Sequence, residues 1–306
     1  MRVTLLGPQR RPTLDTVAAS LRLVGGPIAT ITAGWQEREP DDGALSEQLG
    51  FRDVNLSLYR RWLDVQDRNL DFAAAERQLR GVLEEVQEIY LLRLDHALQA
   101  VYAIQRRSGH DRLRADALDE ALAAVRELDA AHLHRVSDVR GEFYQAWQPH
   151  DRPVIAEHRS AVARLLGEAA ALVVAGGHVG VLAHTLHLFD VAPPIRSPVI
   201  AWSAGAMALT DRIVLFHDRS PQGFGHPEVF GQGLGVLRSV VPLPHARARL
   251  LLDDAPRMAV FARRFAPARC VLLENGTRVD TDGDGTCPPG TRVLGGDGRV
   301  TSLEAA

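Results

Sequence analysis

Three short runs of apolar and β-branched residues constrain this chain more than any other feature: PIATITA at 27–33, AALVVA at 170–175 and SPVIAW at 197–202. AALVVA and PVIAW contain no polar residue, and the polar residues within PIATITA are the β-branched Thr30 and Thr32. Each of the three leads straight into small residues: Gly34, the pair Gly176–Gly177, and Ser203–Ala204–Gly205–Ala206. A strand that is apolar on both faces has to be covered on both, which is the environment of a parallel sheet between two helical layers. Helical spacing through Thr13–Leu23, Val162–Glu168 and then Leu182, Leu186 and Phe189 supplies those layers. The fold class expected is therefore α/β, a three-layer, open, mostly parallel sheet with helices on both faces. Val3–Leu6, Val54–Leu58, Arg212–Phe216, Val236–Leu243 and Cys270–Leu273 read as further strands, and Trp35–Gly43 as a polar loop. From Asp280 onward, Gly, Asp and Thr with short β-branched pieces predict hairpins at a sheet edge.

The rhythm breaks between 69 and 150. Asp71–Arg107 lacks proline and carries Leu79, Val82, Leu83, Val86, Ile89, Tyr90, Leu94, Leu98 and Val101 at helical intervals. Leu113–Val139 behaves alike, so the spacing predicts two long amphipathic helices joined near Ser108–Gly109. The domain reading is 1–68 as the first part of an α/β domain, 69–150 as a helical insertion, and 151–306 as the second part. Such stripes are normally core, so the hairpin is expected to pack on the main domain or to form a homodimer contact. His96, His110, His132 and His134 within it read as scattered surface residues.

Bulk numbers exclude several classes. The chain has 306 residues, 46% hydrophobic and 24% charged, with a formal net charge of −3, an ordinary globular composition. No basic excess exists to neutralise phosphates, so nucleic acid is not an expected partner. The apolar runs are too short to span a bilayer, and MRVTLLGPQRRPT lacks the order of a secretory signal, so neither membrane nor export is expected. Cys270 and Cys287 read as reduced thiols of a cytoplasmic protein. No cofactor or metal is expected: neither cysteine lies in a C-x-x-C pair, His184 and His187 lack further ligands at a metal spacing, and Asp280–Gly285 lacks the closing glutamate of a calcium loop.

The segment that carries chemistry is PVIAWSAGAMAL. A buried strand, a serine, small residues and a helix form the pattern of a nucleophile elbow, in which bulky neighbours would clash with the crossing strand and helix. The same pattern describes a plain strand–helix turn. In the catalytic reading Ser203 is the nucleophile and the Ala204 N–H, free at the helix start, faces a developing oxyanion. Gly176–Gly177 exposes further backbone N–H groups suited to a second donor. A base is needed, and His245, just past the strand ending at Leu243, is the best placed, with His178, His217 and His226 as competitors. Glu274, after the apolar strand 270–273, is a candidate carboxylate to orient it, and Asp218 is a second.

Together these residues resemble the S51 serine peptidases, the group of peptidase E (aspartyl dipeptidase) and cyanophycinase, whose fold is that of the class I glutamine amidotransferases. The resemblance rests on Gly176–Gly177, Trp202–Ser203–Ala204–Gly205–Ala206, Gly233–Leu234–Gly235 leading to Pro244–His245, and Leu273–Glu274–Asn275–Gly276–Thr277. It implies Ser203 as nucleophile, His245 as general base, Glu274 as its orienting acid, and the Gly177 and Ala204 N–H groups as oxyanion hole. Asp218, Gly176 and His178 are secondary candidates. It also implies a small peptide-like, aspartyl substrate cleaved through an acyl-enzyme. Glutamine amidotransfer itself is disfavoured, since that chemistry uses a cysteine. The chain departs from the pattern at Ala201, where glycine is usual, at His178, where asparagine is usual, at Ala246 and in the whole 69–150 segment. Ala201, His178 and the helical segment favour the alternative, a non-catalytic binding or regulatory protein that retains the fold.

Overall fold

The apolar runs at 27–33, 170–175 and 197–202 fold as adjacent parallel strands of one sheet, in a computed structural model that describes residues 1–9, 13–21, 23, 25–218 and 225–305. The chain opens with β1 (Arg2–Leu6), α1 (Leu14–Ser20), β2 (Ile28–Ile31), α2 (Gly43–Gln48), β3 (Asp53–Asn55) and α3 (Leu58–Arg68). Two helices of 37 residues each follow, α4 (Leu70–Arg106) and α5 (Asp111–Trp147). The α/β alternation resumes with α6 (Pro153–Glu168), β4 (Ala171–Val174), α7 (Val179–Leu188), β5 (Val199–Trp202) and α8 (Ala204–Ala208). The last third holds β6 (Ile213–Leu215), β7 (Glu228–Gly231), β8 (Val240–Pro244), α9 (Ala246–Arg249), α10 (Ala255–Phe265), β9 (Arg269–Leu273), β10 (Arg278–Asp282), β11 (Arg292–Leu294) and β12 (Val300–Ser302).

The main sheet has the order β10-β1-β5-β4-β2-β3, parallel except for β10, which runs antiparallel to β1 at the edge. Every residue of β2, β4 and β5 is buried, as these apolar and β-branched runs require. A second sheet, β12-β11-β9-β8, pairs β8 and β9 in parallel. β6 and β7 form a separate antiparallel ribbon. The Gly- and Asp-rich tail forms β10 at one sheet edge and the β11–β12 hairpin at another, matching its composition. Cys270 and Cys287 are both buried and unbonded to each other.

Two expectations need correction in the first segment. The strand read as Val54–Leu58 stops at Asn55, and Leu58 begins α3. Asn55 Oδ1 accepts the Ser57 N–H at 2.9 Å, an Asx turn that ends the strand. The fully buried Glu39 carboxylate accepts the Tyr59 and Arg60 N–H groups at 3.0 and 2.9 Å, satisfying the first turn of α3. The stretch Trp35–Gly43 is not an open loop either, because residues 33–38 form a 3-10 turn.

The α4–α5 hairpin packs on the body. Tyr90, Leu94, Leu98, Leu122 and Val125 share one core with Met207, Phe261 and Phe265. A buried polar cluster pins it there. Arg264 of α10 donates Nε to Asp129 Oδ2 at 2.7 Å, Nη2 to Asp129 Oδ1 at 2.6 Å and to Tyr90 Oη at 2.9 Å, and Nη1 to the Pro227 carbonyl at 2.6 Å. Tyr90 Oη donates to Asp129 Oδ1 at 2.8 Å and accepts the Val229 N–H at 3.1 Å. Each charge is desolvated and each donor finds an acceptor, so removing one partner leaves the other stranded. His132, read as a surface residue, belongs to this core. It is 4% exposed and stacks on Tyr90 with ring centroids 4.0 Å apart, whereas His96, His110 and His134 are exposed as expected.

Two predictions follow from the cluster. Asp129→Ala should lower the unfolding free energy by about 3–5 kcal/mol in urea titration, because the Arg264 cation loses its carboxylate. Burial, the dominant influence on the His132 ring, pushes its pKa from 6.5 down to about 4, against the weaker pull of Asp129. The unfolded chain takes up that proton near 6.5 and the folded one near 4, so stability present above 6.5 is lost as pH falls toward 4 and changes no further below it. His132→Phe should flatten this limb of the stability–pH curve, measured by urea unfolding between pH 7 and pH 4.

Candidate active site

Ser203 ends β5 and holds φ 53°, ψ −125°, a conformation rarely adopted by residues with a side chain. The neighbouring glycines make this turn feasible. A Cβ on Gly205 would stand 2.7 Å from the Ala175 carbonyl oxygen, so only glycine lets α8 cross the end of β4. A Cβ on Gly176 would stand 2.8 Å from Ser203 Cβ and 3.3 Å from its Oγ, so the end of β4 lies directly against the hydroxyl. Ala201 occupies the interior of β5, fully buried in the main core, and its methyl fits there without strain on the turn. Ser203 is half-buried, and its Oγ has no hydrogen-bond partner among the described residues.

The Gly176–Gly177 turn is held from its far side. Gly177 has φ 120°, and the His178 N–H donates to the Gly34 carbonyl at 2.7 Å. Gly34 lies so close that a Cβ there would be 2.7 Å from the Gly176 oxygen. Among the described residues, the Gly177 and Ala204 N–H groups donate to no backbone acceptor. These two N–H groups follow Gly176, whose backbone lies against the Ser203 hydroxyl, and Ser203 itself in the chain. His178 itself caps α7: its Nδ1 accepts the Val181 N–H at 3.2 Å.

His245 and Glu274 are brought together by the second sheet. β8 and β9 pair with Pro244 opposite Leu273, which puts the two residues level at the C-terminal rim, and the His245 N–H donates to the Leu273 carbonyl at 3.2 Å. His245 takes a left-handed conformation (φ 57°) as the cap of α9. Glu274 Oε1 accepts the Arg247 N–H at 2.8 Å, so the carboxylate sits over the first turn of that helix. The two rims meet at Gly7. β1 pairs with β5 with Leu6 opposite Trp202, so Gly7 is level with Ser203, about one strand spacing (~4.8 Å) away. Gly7 N–H donates to Thr277 O at 2.8 Å, and a Cβ on Gly7 would land inside the Glu274 carbonyl group. Ser203, His245 and Glu274, all half-buried, therefore share one end of the two sheets. Among the described residues, no hydrogen bond joins the Ser203 hydroxyl to the ring or the ring to the carboxylate, and His245 has an interaction of its own.

The secondary candidate Asp218 is committed elsewhere. Fully buried, its carboxylate pairs with Arg257 at 2.6 Å and accepts the Leu251 N–H at 3.1 Å, anchoring the loop after α9. Of the competing histidines, His226 faces Asp95 at 3.4 Å and stacks on Tyr102, and burial lowers the pKa of both His226 and His217. Sequence reasoning gave Gly34 only as the end of a strand run, without a part in the site, and did not single out Gly7, although it follows an apolar strand run as Gly176 does. It also missed Gln36, whose φ 57°, ψ −124° nearly duplicates Ser203 within the 3-10 turn that follows β2, and which no local pattern marks. The described residues contain no cluster of three or more His, Cys, Asp or Glu able to hold a metal. Asp282 Oδ1 accepts the Asp284 and Thr286 N–H groups, both at 3.0 Å, which makes the Asp-Gly stretch a turn. No described helix is long and apolar enough to cross a membrane.

The positive φ at 203 has a measurable consequence. Ser203→Gly should be more stable than Ser203→Ala by about 1 kcal/mol in denaturant unfolding, because glycine relieves the backbone strain that alanine retains.

No family model matches the chain, and no curated protein matches its sequence. Among solved structures it is similar to the crystal structure of a peptidase from an acI-B1 Actinobacterium, at 14% identity and a TM-score of 0.47, with 99% of this chain and 94% of that one covered.

Proposed function

We propose that this protein is a serine hydrolase of the S51 type, which cleaves a peptide or isopeptide bond in a small substrate through an acyl-enzyme. The observation that carries the reading is the Ser203 turn, a side chain held at positive φ between a buried strand and a helix, with the Gly176 backbone against its hydroxyl. Strain of that kind persists where the surroundings enforce it, and it presents the oxygen outward at the sheet rim.

In this mechanism the Ser203 oxygen attacks the substrate carbonyl while His245 takes its proton. Negative charge gathers on the carbonyl oxygen, where the Gly177 and Ala204 N–H groups meet it. His245 returns the proton to the leaving amine, the C–N bond breaks, and water hydrolyses the ester by the same route. Glu274 stabilises the imidazolium, which requires its carboxylate to turn from the Arg247 N–H toward the ring. Hydrogen bonds of this kind often tighten only in the complex with substrate. An aspartyl substrate is the suggestion of the family resemblance.

A non-catalytic binding protein is the second reading, and the engagement of Glu274 Oε1 by the Arg247 N–H is the observation that favours it. A fluorophosphonate probe separates the two. The hydrolase reading expects covalent labelling that disappears in Ser203→Ala and falls by about 10⁴-fold in rate in His245→Ala, followed by intact-protein mass spectrometry. Labelling that persists in Ser203→Ala would contradict it.

A further inference from the structure

We infer that the cleft between the α4–α5 hairpin and the first turn of α7 binds a small organic carboxylate, with Arg140 as its counter-ion. The cleft has a volume of about 470 Å³, in the range of ligand sites, and its walls include Trp62, Leu83, Val136 and Phe230. Its cationic groups are otherwise accounted for. Arg80 lies over the Trp62 ring at 5.6 Å, and His184 Nε2 stands 3.0 Å from Glu76 Oε1, too poorly aligned for a hydrogen bond but close enough for charge attraction.

Arg140 differs. Among the described residues it has no hydrogen bond, ion pair or ring contact, and its Nη1 is buried without a partner. Its surroundings are Tyr144, His187 and the backbone of Gly231, whose missing side chain leaves space beside Nη2. None of these is an anion. Arg140 as a whole is half-buried, but a charge with a buried and unpaired nitrogen is costly in a fold, and burial lowers the guanidinium pKa in keeping with that cost. A planar guanidinium lacking its acid is shaped to take one in bidentate fashion.

The rim narrows the choice of anion. Glu84 and Glu88 of α4 line the same cleft and are exposed, so they repel a dianion more than a monoanion. A singly charged carboxylate on an apolar body fits the cleft better than a phosphate ester. His178 and Gly180, which follow the Gly176–Gly177 turn in the chain, line the cleft, but the inference rests on Arg140 and not on hydrolysis.

Isothermal titration with benzoylglycine, its neutral amide and phenyl phosphate tests this in the wild-type chain and in Ser203→Ala, so that a catalytically silent protein still gives a result. Benzoylglycine should bind at least tenfold more tightly than either analogue. Arg140→Met should reduce its binding at least tenfold, to the level of the amide, with Arg140→Lys between the two. Ligand-free Arg140→Met should melt at or above the wild-type temperature, because the stranded charge is gone. Equal binding of acid and amide, no binding of the acid, tighter binding of phenyl phosphate, or an Arg140→Met protein that binds normally or melts well below wild type would each overturn the proposal.

Discussion

Close approach of backbone to backbone at one end of the main sheet is the constraint on which the rest of this structure depends. At Gly7, Gly34, Gly176 and Gly205 a side chain as small as a methyl would collide with a neighbouring main chain or with Ser203. These contacts tie the ends of β1, β2, β4 and β5 to one another and to the turn after β9. They also force Ser203 into its positive-φ turn, since β4 on one side and α8 on the other leave the chain no wider path. The energy that holds the strain comes from the buried strands beneath, whose side chains fill a separate core on each face of the sheet.

A second level of organisation attaches the long helices. The hairpin is amphipathic along its whole length but seats only part of it: Tyr90, Leu94 and Leu98 reach the body, whereas Val82, Ile89 and Leu92 remain exposed. Apolar contact alone does not fix the register of such a helix. The Arg264–Asp129–Tyr90 cluster does, because a slip of one turn would separate charges that are nearly inaccessible to water. With the register set, the near end of the hairpin faces α7 and forms the cleft in which Arg140 stands without an acid. One arginine is thus satisfied inside the hairpin–body seam and another is left unsatisfied in the cleft.

Much of this was legible in the sequence because it depends on short-range patterns. The unbroken apolar runs identified β2, β4 and β5 as buried parallel strands, and the small residues after them identified the turns. The two long helices followed from their periodicity, and the edge strands from the Gly- and Asp-rich tail. What was not legible rests on partners distant in sequence. Glu39 starts α3 from about twenty residues upstream, and nothing near Leu58 announces a helix instead of a strand. His132 is a core residue because Tyr90, on the other helix, offers it a stacking face. Asp218 was read from its place after a strand, and Arg257 on α10 explains its burial instead. Ser203, His245 and Glu274 each follow the last residue of a strand, while the hydrogen bonds expected between them belong to side-chain torsions that sequence position does not set.

The central claim is that the Ser203 oxygen becomes covalently bonded during turnover while two backbone N–H groups face the charge that develops beside it. A crystal structure of the protein after reaction with a phosphonate inhibitor examines both halves of that claim at once. Phosphorus should be bonded to Ser203 Oγ, with its free oxygen accepting from the Gly177 and Ala204 N–H groups and the His245 ring within hydrogen-bond reach of the adduct. Phosphorus attached to any other residue, or its free oxygen turned away from those two amides, would contradict it.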